Sequence, residues 1–251
     1  MPAIDCIWRR LLPDCIAVSA GSGAISVSRH YEERSGIAMG DRRRSEFLAG
    51  RAHAHAALTE LGVSDLELPT GPDRAPLWPD GIRGSITHAS KHDCSYVAAA
   101  VGRSEVLRGI GIDVEFISAI RPQAWRQFLT ARELEFVRKL SIGDRARSTA
   151  AIWCAKEAGI KAISQILEPC SIEVLPLERL SDAVQHWSLK RLDSPEDHFP
   201  LQARTACLDD LAFAAVTLPR SIGERLNIKA TIAQPTIRTE GTSNGLGYRH
   251  G

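Results

Sequence analysis

Two acidic motifs about forty residues apart carry side chains suited to a phosphorylated substrate. The first is Gly111-Ile112-Asp113-Val114-Glu115. The second is Trp153-Cys154-Ala155-Lys156-Glu157-Ala158, completed by Lys161. Apolar residues alternate through Ile110, Ile112, Val114 and Phe116, which predicts a strand with Gly111, Asp113 and Glu115 together on its other face. Residues 150–167 read as a helix, with Ile152, Ile160, Ile163 and Leu167 as its apolar stripe and Pro169 as its stop. Trp153, Glu157 and Lys161 are spaced by four and line one side of it. Taken alone, Glu157 and Lys161 would be an ordinary surface pair worth ~0.3–0.5 kcal/mol. Beside the strand carboxylates they form a hard oxygen site of the kind a divalent cation fills. The lysines suit phosphate oxygens that would reach the same ion.

Other elements must position these groups. Residues 41–61 have a helical pattern with Phe47, Ala54, Leu58 and Leu61 facing the core and Gly62 as C-cap. A loop rich in Gly and Pro follows, then strands over 84–88 and 95–101. The polar stretch 102–108 reads as a linker between two halves. Thr130 and Glu133 form a capping box ahead of Leu134, Phe136 and Val137. Further strands are expected over 171–175, 184–192 and 212–218. Residues 1–41 have no clear assignment. Gly21-Ser22-Gly23 reads as a turn, since the later glycine of a nucleotide-binding fingerprint is missing. Residues 227–251 are polar and expected to be disordered. The division this predicts is 1–105, 106–226 and a tail over 227–251.

Composition narrows the class. With 251 residues and 44% hydrophobic content the chain can build a sizeable core. A net charge of +1 gives no global field toward nucleic acid or acidic membrane. No apolar run approaches the ~20 residues that span a bilayer. Residues 1–10 lack the charged-then-apolar order of a secretory signal. The six cysteines show no Cys-x-x-Cys spacing and read as reduced, in a cytoplasmic protein.

Four segments, in order, resemble one family: Arg42-Arg43-Arg44-Ser45-Glu46-Phe47-Leu48-Ala49-Gly50-Arg51, Arg74-Ala75-Pro76-Leu77-Trp78-Pro79-Asp80-Gly81, Gly84-Ser85-Ile86-Thr87-His88, and the paired acidic motifs. Over roughly residues 42–165, about half the chain, it resembles the surfactin-type 4′-phosphopantetheinyl transferases, in the enterobactin synthase component D branch. The resemblance implies transfer of the phosphopantetheine arm of coenzyme A to a serine of an apo carrier protein, with adenosine 3′,5′-bisphosphate released. It implies an α+β fold of two pseudo-symmetric halves with the active site in the cleft between them, although the sequence shows no internal repeat. It also implies a monomer that uses Mg²⁺, with Mn²⁺ an alternative.

The same resemblance supplies roles. Asp113, Glu115, Glu157 and the Val114 carbonyl would hold the metal. Glu157, Lys161 and Asp113 would be catalytic, with Glu157 removing the serine proton and Lys161 facing the α-phosphate. Coenzyme A would be bound by Arg43, Arg51, Arg74, Ala75, Pro76, Thr87, His88, Asp113, Lys156 and Lys161, with Arg51 on the 3′-phosphate and Thr87 and His88 on the phosphates. Asp73 departs from a lysine found in some relatives, and Gly159 from an aromatic. His53 and His55 read as structural, and Trp78 and Trp153 as packing residues. Arg132, Arg138 and Lys139 are candidates for docking an acidic carrier. Two alternatives stay open: a metal-dependent nuclease, disfavoured because its acid and lysine usually lie two apart on a strand, and a coenzyme A or carrier-binding module without chemistry.

Overall fold

The small side chains of the central strands decide how closely helices lie on the sheets. The computed structural model describes residues 2–22, 41–63, 67–71, 75–92, 94–165, 167–177, 184–193 and 201–221. In the first half, α1 (Pro2–Leu11) and β1 (Ala17–Ser22) precede α2 (Asp41–Glu60), β2 (Ile82–Lys91) and β3 (Cys94–Arg103). The strands form an antiparallel sheet in the order β1-β3-β2. β3 is buried on both faces. Ala99 and Val101 pack toward Ala54, Ala57 and Leu58 of α2, while Tyr96, Ala98 and Ala100 face the opposite way, toward Trp8 and Leu11 of α1. Gly50 lets α2 close onto β2, since a Cβ there would lie 2.9 Å from Ile86.

The second half contains β4 (Leu107–Phe116), α3 (Trp125–Phe128), α4 (Ala131–Lys139), α5 (Ile142–Ile163), β5 (Ile172–Pro176), β6 (Gln185–Arg191), β7 (Leu201–Leu208) and β8 (Leu211–Pro219). Its five strands run antiparallel in the order β4-β8-β7-β6-β5. Along β8 the faces alternate. Ala212, Ala214 and Val216 pack with Ala150, Ile152, Cys154, Ala155 and Ala158 of α5. Phe213 and Ala215 face Trp8, Leu11 and Tyr96 from the first half. Trp8 and Tyr96 both meet Phe213 edge-on, at 5.4 and 5.6 Å, and the Trp8 indole N–H donates to the Tyr96 hydroxyl at 2.8 Å.

The fold is therefore α+β, with a long helix laid across an antiparallel sheet in each half. Residues 102–108 are not a linker: β3 runs to Arg103 and β4 starts at Leu107, with a tight turn between. The two halves share a core through Trp8, Tyr96 and Phe213, so residues 1–220 form one compact unit. The α5 helix begins eight residues before the expected start. Ser141 caps it by accepting from the Asp144 N–H, and Ile142 is 84% exposed, so its first turns carry no apolar stripe to read. It ends at Ser164, which adopts the left-handed conformation, before Pro169 is reached. The sequence reading did not assign α1, β1 and β7. Gly21 and Ser22 belong to β1 instead of a turn, and Gly23 and the tail 227–251 lie outside the described residues. The Thr130–Glu133 capping box is present in full. Among the described residues no helix is long and apolar enough to cross a membrane.

Candidate active site

Glycine spacing on β4 brings the acidic motifs together. A Cβ at Gly109 would lie 1.9 Å from the Ala162 carbonyl oxygen, and one at Gly111 would lie 1.8 Å from that of Ala158. The backbone of α5 therefore rides directly on β4, and Gly111, Asp113 and Glu115 face the helix as their alternation predicts. Gly111→Ala is expected to destabilise the protein by about 3 kcal/mol or more, because the clash is with backbone that cannot rotate away. A lower urea midpoint with an unchanged slope would show this, and an unaltered midpoint would contradict it.

The Asp113 carboxylate joins both halves of the molecule. Its Oδ1 accepts from Lys161 Nζ of α5 at 2.7 Å and from the Thr87 hydroxyl of β2 at 3.1 Å. Lys161 Nζ also donates to the Ile112 carbonyl at 3.2 Å. The Val114 N–H donates to Thr87 Oγ1, so it points away from β8. N–H and C=O of one residue share an edge in such a strand, which leaves the Val114 carbonyl on the β2 side. Glu115 Oε1 accepts from the Phe116 N–H at 2.8 Å.

Burial, chiefly, and the Asp113 charge raise the pKa of Glu157, against the opposing effect of Lys161. Burial and Asp113 likewise raise Glu115, although its bond from Phe116 N–H opposes them. Three carboxylates thus share one lysine, and two of them resist ionising. An all-oxygen donor set short of positive charge fits a hard divalent cation such as Mg²⁺ or Mn²⁺. As they stand, no three His, Cys, Asp or Glu side chains among the described residues are grouped so as to hold a metal ion. Lys161 occupies the Asp113 oxygen instead.

The remaining predicted residues separate. His88 lies on the same strand as Thr87, its Nε2 3.3 Å from Glu46 Oε2. Burial lowers its pKa most, Lys161 and Arg43 add to this, and Glu46 and Asp113 oppose it. Glu46, which also pairs with Arg42 at 3.4 Å, was not predicted. Its spacing of four from Arg42 on a helix was the available signal. Arg43 is exposed, while Arg51 is only 3% exposed. The Arg51 guanidinium stacks 4.7 Å from the Phe47 ring and donates to Thr70 at 3.0 Å. Pro76 bridges Thr70, and the Ala75 carbonyl accepts from the Gly71 N–H. Asp73 and Arg74 lie outside the described residues. A Cβ at Gly84 would lie 2.6 Å from the Trp78 ring, so Trp78 is a packing residue. Trp153 meets Phe128 edge-on at 4.9 Å. His53 hydrogen-bonds to Ser19. Arg132 pairs with Glu173 and Lys139 with Glu135.

One expected phosphate contact requires correction. Lys156 is fully buried and faces away from Asp113. Its ammonium donates to the carbonyls of Phe128, Pro169 and Ile172 at 2.7, 3.0 and 2.7 Å and pairs with Glu133 at 2.8 Å, where Glu133 is also 0% exposed. Lys156 is five positions before Lys161, and at about 100° per helical step the two side chains point roughly 140° apart. Thr87 is 1% exposed, and its single hydroxyl proton goes to Asp113. The buried Lys156 ammonium has no donor left for a phosphate oxygen. Gly159, unexplained by sequence, packs on β6, where a Cβ would lie 2.7 Å from Leu189.

Residues 32–101 match the 4′-phosphopantetheinyl transferase N-terminal domain, and residues 109–216 match the 4′-phosphopantetheinyl transferase superfamily. The chain belongs to the 4′-phosphopantetheinyl transferase superfamily. It is 42% identical over 74 residues to 4′-phosphopantetheinyl transferase PptT of Mycobacterium tuberculosis, covering 30% of this chain and 31% of that protein. It is 35% identical over 135 residues to enterobactin synthase component D of Salmonella typhi, covering 50% of each. These matches span about half or less of the curated relatives' length. A solved holo-(acyl-carrier-protein) synthase of Bacillus anthracis, in complex with coenzyme A, aligns with a TM-score of 0.39 at 22% identity, covering 46% of this chain and 99% of that one. In this superfamily member the two matched regions meet where β2 lies against β4, which is where Thr87, Asp113 and Lys161 converge.

Proposed function

We propose that this protein transfers the 4′-phosphopantetheine arm of coenzyme A to a serine hydroxyl of an apo carrier protein. The observation that carries the reading is the Asp113–Lys161–Glu157 group at the seam of two consecutive family matches. In the reaction the seryl oxygen bonds to the phosphorus attached to pantetheine, and the P–O bond to the bridging oxygen breaks. Adenosine 3′,5′-bisphosphate leaves with that oxygen. Glu157 takes the serine proton, and its raised pKa brings its basicity closer to neutral pH. Lys161 places a cation beside the charge that builds on the departing phosphate. Asp113, Glu115, Glu157 and the Val114 carbonyl would hold Mg²⁺ or Mn²⁺, which when bound offsets pyrophosphate charge. Arg43 and His88 would bind coenzyme A phosphates. Arg51, with Arg74, Ala75 and Pro76, would serve the 3′-phosphate and adenosine end.

The carrier would be one of peptide-synthetase or siderophore assembly in the cytoplasm, and one chain carries both walls of the site. The experiment is to incubate the protein with coenzyme A, Mg²⁺ and several apo carriers, then measure carrier mass. The expected result is a phosphopantetheine adduct on at least one carrier, lost in excess chelator. No adduct on any carrier with ample metal and donor, or equal loading in chelator, overturns the proposal.

A further inference from the structure

The close approach of α2 to β2 also delivers an acid to a histidine. Ile86 and His88 are two apart on β2, so they share the face that meets α2. Glu46 and Gly50 are four apart on α2, one above the other on one side of the helix. Two strand residues rise ~6.6 Å and four helix residues ~6 Å, so the two spacings match. The contact of Gly50 with Ile86 is therefore repeated one step along as Glu46 with His88. Glu46 Oε2 lies 3.3 Å from His88 Nε2, and Glu46 Oε1 lies 3.4 Å from Arg42 Nε. Both carboxylate oxygens are engaged, and the Glu46 side chain is only 12% exposed. The His88 side chain is 52% exposed, so its ring is open to a ligand. With Nε2 facing Glu46, Nδ1 is the ring nitrogen left for that ligand.

We propose that Glu46 is a positioning residue for coenzyme A: it holds the His88 imidazole from α2 so that Nδ1 meets a phosphate oxygen, and it thereby strengthens the binding of an anion although it is one itself. This rests on the phosphopantetheinyl-transfer reading, in which His88 contacts coenzyme A phosphates. A neutral imidazole that donates its Nε2–H to Glu46 has a lone pair at Nδ1, which repels a phosphate oxygen. The imidazolium donates from both nitrogens. A carboxylate on Nε2 favours that charged form and fixes the ring plane. Burial is the largest effect against the cation, and Lys161 of α5 and Arg43 of α2 add to it. Glu46 is the larger of the two charges that support it, ahead of Asp113 of β4. A carboxylate without this role would only repel the phosphates, so the sign of its effect on coenzyme A affinity separates the two cases.

The test measures coenzyme A binding in chelator by calorimetry, between about pH 6 and 8, for the wild type, Glu46→Gln, His88→Ala and the double variant. Glu46→Gln keeps the shape and an acceptor and removes the charge. It is expected to weaken coenzyme A about three- to fivefold near neutral pH, the upper range for a partly exposed ion pair. Its affinity should also fall off at lower pH than that of the wild type, because His88 loses its proton earlier without the carboxylate. The ionisation of the coenzyme A phosphates is common to all four proteins and cancels in the comparison. In the His88→Ala background, Glu46→Gln should produce neither the weakening nor the pH shift. Glu46→Ala replaces the glutamine variant if the latter does not fold. Tighter binding by Glu46→Gln, equal weakening with and without His88, or unchanged affinity in His88→Ala overturns the assignment. A wild type that does not bind coenzyme A overturns the transfer reading and this assignment with it.

Discussion

Lys156→Met is expected to lower the unfolding free energy by about 3–5 kcal/mol, the range for removing one partner of a buried ion pair. The reason is what stays behind. Glu133 is 0% exposed and would be left buried without its cation. Its two oxygens also accept from the N–H groups of Thr130 and Val174, both at 2.6 Å, so it cannot swing out to water without unmaking the α4 cap and the start of β5. Burial pulls the Lys156 ammonium pKa down and the Glu133 charge opposes this. The pair therefore depends on being complete. Glu133→Gln in the same chain keeps an acceptor and removes the stranded charge, so the double variant should lose less than the sum of the single losses. Urea denaturation of the four proteins measures this. A Lys156→Met protein that keeps its stability but binds coenzyme A weakly would return Lys156 to the phosphate site.

Glu157→Gln should lower transfer by ~10²–10⁴-fold, the usual contribution of a positioned base, and leave coenzyme A binding in chelator largely intact. It should also make the metal-free protein more stable at neutral pH. The folded-state pKa of Glu157 is raised above its unfolded value by burial and Asp113. Between those two values the folded state binds more protons than the unfolded state, so stability falls as pH rises through that window. The glutamine has no such loss. Its melting temperature should exceed that of the wild type above the window, and the two should converge toward the unfolded carboxylate value, about 4.3. Transfer that survives the substitution removes Glu157 as the base. A melting-temperature difference independent of pH removes the electrostatic explanation.

Function and stability pull apart within two adjacent residues. Lys156 and Glu157 share one helix step, yet the first closes a buried network under α4 and β5, and the second faces the strand carboxylates. This explains why a lysine next to a proposed catalytic base reads as a substrate contact until its environment is known. Replacing a satisfied buried pair and replacing an under-neutralised carboxylate should move stability in opposite directions.

The sequence by itself determined what could be read from local periodicity: the β4 alternation that puts Asp113 and Glu115 opposite Ile112 and Val114, the spacing of four between Glu157 and Lys161, the Thr130–Glu133 capping box and the ordered family motifs. Those features depend on neighbours a few residues away, and backbone geometry alone fixes them. It also carried the alternation of Leu201, Ala203 and Thr205 against Gln202 and Arg204 in β7, which was legible and missed. Only the tertiary structure decided that Lys156 faces Glu133 rather than a phosphate, that Thr87 spends its proton on Asp113, that Gly111 admits the α5 backbone, and that both halves share one core through Trp8, Tyr96 and Phe213. Each of those facts joins residues far apart in the chain, and which partner a buried polar group finds depends on long-range packing that no short window of sequence contains.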